Sequence, residues 1–64
     1  MKTRNEIADE LLRGVPDHTE ADHKTIAEMI RSGSSFEQIC NKTNIDDYPE
    51  TYVWVESEIY QSPA

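Results

Sequence analysis

The chain has 64 residues, thirteen acidic and six basic, for a formal net charge of −7. A chain this short buries only about 60% of the surface that its unfolded form exposes, so it makes one domain with a thin core. An enclosed substrate pocket with a supporting layer around it needs more material, which argues against an enzyme and for a protein that acts by binding another macromolecule.

From the N-terminus, Thr3-x-x-Glu6 has the pattern of a capping box, in which each side chain satisfies the other's backbone N–H. Ile7, Ala8, Leu11, Leu12 and Val15 then recur at helical spacing as one apolar stripe. Gly14 supplies a left-handed stop and Pro16 prevents resumption, so the first helix is expected over about 4–13. Asp17-His18-Thr19 reads as a polar turn. Thr19-x-x-Asp22 is a weaker cap for a second helix over about 20–32, with Ile26, Ala27, Met29 and Ile30 as its apolar positions and Ser32-Gly33 as its end.

A third helix, over about 35–43, starts within two residues, and Ser34-x-x-Glu37 and Ser35-x-x-Gln38 both fit a capping box. Phe36, Ile39 and Cys40 point inward, and Asn44 is expected to take the left-handed stop. The segment from Tyr48 to Tyr60 has conflicting signals. Thr51-Tyr52-Val53-Trp54-Val55 has high strand propensity, yet Pro49 and Glu50 suit a first helical turn, and Tyr48, Tyr52, Val55 and Ile59 fall at helical spacing. A lone strand in a helical chain has no partner unless two chains pair, so a helix over about 49–60 is the reading preferred. Ser62-Pro63-Ala64 reads as a frayed end.

Cys40 is the single cysteine, which forbids an internal disulfide. Its neighbours do not form a zinc pattern, so it reads as a small buried apolar residue, with a reactive or intermolecular thiol as the alternative. No apolar run is long enough to span a membrane, and no signal-peptide core follows Met1, which predicts an intracellular, cytoplasmic protein. The charge is uneven. Residues 1–42 carry eight acids and all six bases, a balance of −2, whereas residues 43–64 carry Asp46, Asp47, Glu50, Glu56 and Glu58 with no base, a balance of −5. Such a segment repels phosphates and anionic membranes and attracts basic surfaces.

Three helices with short connections, the last two joined tightly, describe a helix-turn-helix unit. The run Ile26-Ala-Glu-Met-Ile-Arg-Ser-Gly-Ser-Ser-Phe-Glu-Gln-Ile-Cys40 resembles the opening of the helix-turn-helix in phage terminase small subunits and related transposase-type domains, where an apolar helix, a glycine, a serine cap and an Ile-Cys pair follow in the same order. The stretch from Asn44 to Val55 looks like that family's turn and third helix, in its turn residue followed by Ile45 and in Tyr52 and Trp54 two apart. The likeness covers about half the chain. It implies a trihelical fold and a third helix that enters the major groove with arginine or lysine. Here no residue after Lys42 is basic, and Val53 stands where the family usually places a base. Asp46, Asp47 and Glu50 crowd the helix start that would approach the duplex. Affinity for a duplex comes largely from neutralising phosphates, and uncompensated acids reverse that term. DNA contacts through Lys2, Arg4, Arg13, Lys24 or Arg31 would come from bases interspersed with acids.

His18 and His23 lie five apart among acids, but five helical residues turn the side chain by about 500°, which separates them around the axis. A solvated helix start is the reading, and no metal or cofactor is implied. No Ser-His-acid spacing, phosphate loop or paired buried carboxylates can be argued. Tyr48, Tyr52, Trp54 and Tyr60 exceed what one buried face of a short element can use, and Tyr and Trp dominate protein interfaces.

These readings predict an all-α fold, a small three- to four-helix bundle with a helix-turn-helix-like core. The expected function is that of a small acidic inhibitor or adaptor whose last helix docks on the basic site of a nucleic-acid-processing protein, in the manner of a DNA mimic. Size, charge and the phage-like module make phage anti-CRISPR, anti-restriction and polymerase-inhibitor proteins the natural comparison. The expected contact residues are Asp46, Asp47, Glu50, Trp54, Glu56 and Glu58. Direct nucleic-acid binding and membrane association are disfavoured, and a homodimer is left open. The alternative is a dimeric DNA-binding helix-turn-helix subunit whose acidic helix faces its partner.

Overall fold

The computed structural model describes residues 2–14 and 22–61, and within them four α-helices and one 3₁₀ turn account for most of the chain. The helices are α1 (Arg4–Leu12), α2 (His23–Arg31), α3 (Phe36–Lys42) and α4 (Pro49–Gln61), with the 3₁₀ turn at Ile45–Asp47. The described residues contain no strand, so the segment 49–61 is helical despite its β-branched and aromatic run. Burial decides this. As a helix, the segment places Thr51, Val55 and Ile59 on one side, where they close the core.

Capping sets the boundaries. Thr3 and Glu6 form the expected box, with Glu6 N–H donating to Thr3 Oγ1 at 3.1 Å and Thr3 N–H donating to Glu6 Oε1 at 2.8 Å. The hydrogen bonds lower the Glu6 pKa, the Thr3 backbone N–H contributing most. Gly14 stands at φ +98° after Arg13, as expected of a left-handed stop. Leu12 is 47% exposed, because it lies about 90° around the helix from the middle of the Ile7–Ala8–Leu11 stripe. Val15, Pro16 and the turn Asp17-His18-Thr19 lie outside the described residues, as do Glu20 and the final Ser62-Pro63-Ala64.

The second helix starts later than its sequence pattern suggested. Asp22 is itself the N-cap of α2, with its Oδ1 accepting from Thr25 N–H, so α2 begins at His23; residues 20 and 21 of the expected helix lie outside the described residues. Its other end is a Schellman motif. Gly33 N–H donates to Ile30 O at 3.1 Å and Ser34 N–H to Met29 O at 3.0 Å, with Gly33 at φ +86°. Of the two serine caps available for α3, the structure uses Ser35, whose Oγ accepts from Gln38 N–H while Gln38 Oε1 accepts from Ser35 N–H. Ser34 instead engages α1, its carbonyl accepting a 2.8 Å hydrogen bond from the Arg4 guanidinium at the start of that helix.

Asn44 does not take the left-handed stop expected of it; its φ is −92°. The chain leaves α3 through an extended Thr43, whose hydroxyl donates back to Ile39 O at 2.7 Å. That frees the Asn44 side chain, and its Oδ1 accepts from Asp22 N–H at 2.9 Å, tying the start of α2 to the loop after α3. One apolar core results. α1 contributes Ile7, Ala8 and Leu11, α2 contributes Ile26, Ala27 and Ile30, and Phe36, Ile39, Ile45, Val55 and Ile59 complete it. α1 packs chiefly on α2, and α4 spans α1, α3 and the 3₁₀ turn. The fold is a small all-α bundle.

Candidate protein-binding face on the last helix

With Thr51, Val55 and Ile59 turned inward, α4 must present Glu50, Val53 and Ser57 to solvent, at the i, i+3, i+7 spacing of a helix face. Trp54 sits at the border. Its ring packs partly against the core and also lines a shallow open groove with Pro49, Glu50, Val53 and Ser57. Val53 is 61% exposed, an apolar side chain standing in solvent. The groove is thus a mostly apolar strip running along α4, with a carboxylate at its first turn.

The acids predicted as contacts do not share one face. Asp46 and Asp47 are exposed on the 3₁₀ turn, and Glu50 is exposed one turn further on. These three sit together ahead of and within the first turn of α4, where they also complement the helix dipole. Glu56 and Glu58, two residues apart, point about 160° away from each other around the axis. Glu56 lies toward α3, where it and Glu37 add to the field at Cys40. Burial, followed by the charge and hydrogen bond of Asp46, pushes the Cys40 thiol up. Cys40 is half-buried against the core.

Glu58 lies on the other side, only 14% of its side chain exposed, and is bound by Lys2. The Lys2 ammonium bridges Glu58 and Glu10, at 2.8 Å from Glu10 Oε1, and stands 5.5 Å from the centre of the Trp54 ring. These carboxylates hold the Lys2 pKa above its ordinary value, the hydrogen bond to Glu10 contributing most. A base from the other end of the chain therefore compensates an acid of the segment that carries none.

Other bases are committed too. Arg4 Nη1 donates to Ser34 O, and Arg31 Nη2 pairs with Asp9 Oδ1. Three of the five bases available for DNA contact thus have partners within the bundle. Aromatic residues divide in the same way. Tyr52 meets Phe36 edge-on with ring centroids 4.9 Å apart, whereas Tyr60 is 74% exposed at the far end of α4.

Sequence reasoning did not find Pro49, Val53 and Ser57 as lining residues, nor Lys2 and Glu10 as partners of the acidic segment. Val53 and Ser57 had a signal, the outward helical repeat 50, 53, 54, 57; Pro49 precedes that repeat, and Lys2 and Glu10 had none, being a tertiary contact. Among the described residues no three His, Cys, Asp or Glu side chains converge as a metal site, and His18 lies outside them. No described helix is long and apolar enough to cross a membrane. Compared with protein-family models, curated proteins and solved structures, the chain matches none.

Proposed function

We propose that this protein is a small acidic binding module, an inhibitor or adaptor that docks the outward face of α4 on a basic surface of a nucleic-acid-processing protein. The observation that carries the reading is the joining of two features on one helix. An open apolar strip, Val53 and Trp54 at its centre, continues directly from the exposed acids Asp46, Asp47 and Glu50. Long-range attraction by the acids raises the encounter rate with a positive surface, and burial of the strip supplies affinity. The engagement of Lys2, Arg4 and Arg31 within the bundle counts against a phosphate-binding face. A phage anti-defence protein, acting in the host cytoplasm on machinery that normally holds nucleic acid, is the setting that fits this chemistry.

Reversing Asp46, Asp47 and Glu50 to lysine tests the reading. The helical circular dichroism should persist while capture of the partner from the native host is lost; capture undiminished by the triple reversal would sink the proposal. Tight, salt-sensitive retardation of duplex DNA by the unaltered protein would instead favour a dimeric DNA-binding subunit.

A further inference from the structure

The cage around the Lys2 ammonium is made of two carboxylates and an indole face, and it adjoins the apolar groove through Trp54, which belongs to both. We propose that Lys2 is a built-in competitor, filling in the free protein the place that a lysine or arginine of a basic protein partner takes when the partner lies along the groove. This rests on the protein-binding reading given above and names the chemistry of one contact within it.

Three observations support it. The chemistry of the cage does not distinguish one cation from another: carboxylates and an aromatic face accept any ammonium, and a planar guanidinium gains more from both, by bidentate pairing and by stacking. The Lys2 side chain is 39% exposed, against 25% for Glu10 and 14% for Glu58, so solvent and a competing cation reach the ion pairs from the Lys2 side. Lys2 also precedes α1, whose N-cap is Thr3, so the ammonium can leave without unwinding the helix. The charge arithmetic agrees. With Lys2 in place its one positive charge against the two carboxylates Glu10 and Glu58 leaves the Trp54 end of the groove at −1; once it leaves, that end stands at −2 and attracts a basic partner more strongly.

A hepta-arginine peptide, followed through the fluorescence of Trp54, the only tryptophan, is a suitable probe. Lys2→Met keeps the apolar stem and removes the charge. It should bind the peptide about fivefold more tightly than the unaltered protein, the relief expected if Lys2 occupies the cage in about four molecules of five. Lys2→Arg should bind no more tightly than the unaltered protein, since a guanidinium competes for the cage at least as well, and adding Glu58→Gln to Lys2→Met should cancel the gain. Lys42→Met makes the same change in net charge on α3 and should give little gain. Equal or weaker binding by Lys2→Met, or an equal gain from Lys42→Met, overturns the proposal. If Lys2→Met does not fold, the unaltered protein still decides the matter. On saturation with the peptide the Lys2 ammonium resonance should move to that of free lysine, and a resonance that keeps its position refutes displacement. Failure of every variant to bind the peptide also overturns the cage, while the α4 charge reversal, measured on the host partner, judges the wider function separately.

Discussion

Val53→Lys separates docking from folding more cleanly than the triple reversal, which also strips α4 of acids that complement its dipole. Val53 is 61% exposed, lies opposite the buried Thr51–Val55–Ile59 side and lines the groove. Full burial of a valine contributes about 1.5–3 kcal/mol, so roughly 1–2 kcal/mol remains for a partner to gain by covering the exposed part. A lysine there removes that gain and places a cation against a basic surface, for a total loss near 2–3 kcal/mol, or about thirtyfold to a hundredfold in Kd. Stability moves the other way. Lysine has a better helix propensity than valine, and Glu50 three residues earlier can pair with it, together about 0.5 kcal/mol in favour of the fold. In a domain of this size that is a rise of roughly 2–4 °C in Tm. The assay is a thermal melt by circular dichroism beside quantitative capture of the host partner. A variant that captures the partner undiminished refutes the placement of the interface, and one that melts well below the parent refutes the outward assignment of Val53. The same variant places a base on the outward face of α4, so stronger duplex binding with unchanged protein capture would favour the DNA-binding alternative.

Ser35→Ala should destabilise the bundle by about 1 kcal/mol in denaturant titrations while Ser34→Ala changes little, because only Ser35 Oγ caps α3; equal effects would contradict the capping assignment. Thr51→Val should stabilise by about 1 kcal/mol, since the Thr51 hydroxyl is fully buried and has no hydrogen-bond partner among the described residues, and valine fills the same shape. A loss of stability in that variant would mean the hydroxyl is satisfied. Glu6 supplies a pH dependence. Its pKa is lowered in the folded state, so its contribution to the cap is complete above the unfolded value and fades as pH falls through the lower, folded one. In NMR titrations the Thr3 amide, which donates to Glu6 Oε1, should follow a midpoint below that of an ordinary glutamate; a midpoint at or above it would remove the capping box from α1.

The helices were legible because each is specified locally. Thr3-x-x-Glu6, Gly14, Ser32-Gly33 and Pro49 act on their own turn of backbone, and the structure uses each where the pattern places it. The ambiguous cases fell where two local solutions were nearly equal in energy. Ser34 and Ser35 cap equally well in isolation, and Arg4, thirty residues away, accounts for the carbonyl of the one not used. Asn44 suits a left-handed stop, yet its amide oxygen accepts from Asp22 N–H instead, a partner supplied only when α2 and the loop after α3 meet.

The acidic C-terminal third shows the division most plainly. Its composition is a property of the chain alone: five carboxylates without a base, on a segment whose apolar spacing favours a helix against its strand propensity. Composition carries no angle, however. Two residues of helix turn Glu56 and Glu58 to nearly opposite sides, toward Cys40 in one case and toward Lys2 in the other. The sequence by itself therefore determined how much negative charge the C-terminal segment carries and that Val55 and Ile59 would enter the core, whereas Thr51 is buried beside them and Tyr48 and Tyr52 are only half-buried. Only the tertiary structure decided which acids face outward together, because that depends on where α4 settles against α1 and α3 and on which distant side chains it meets there.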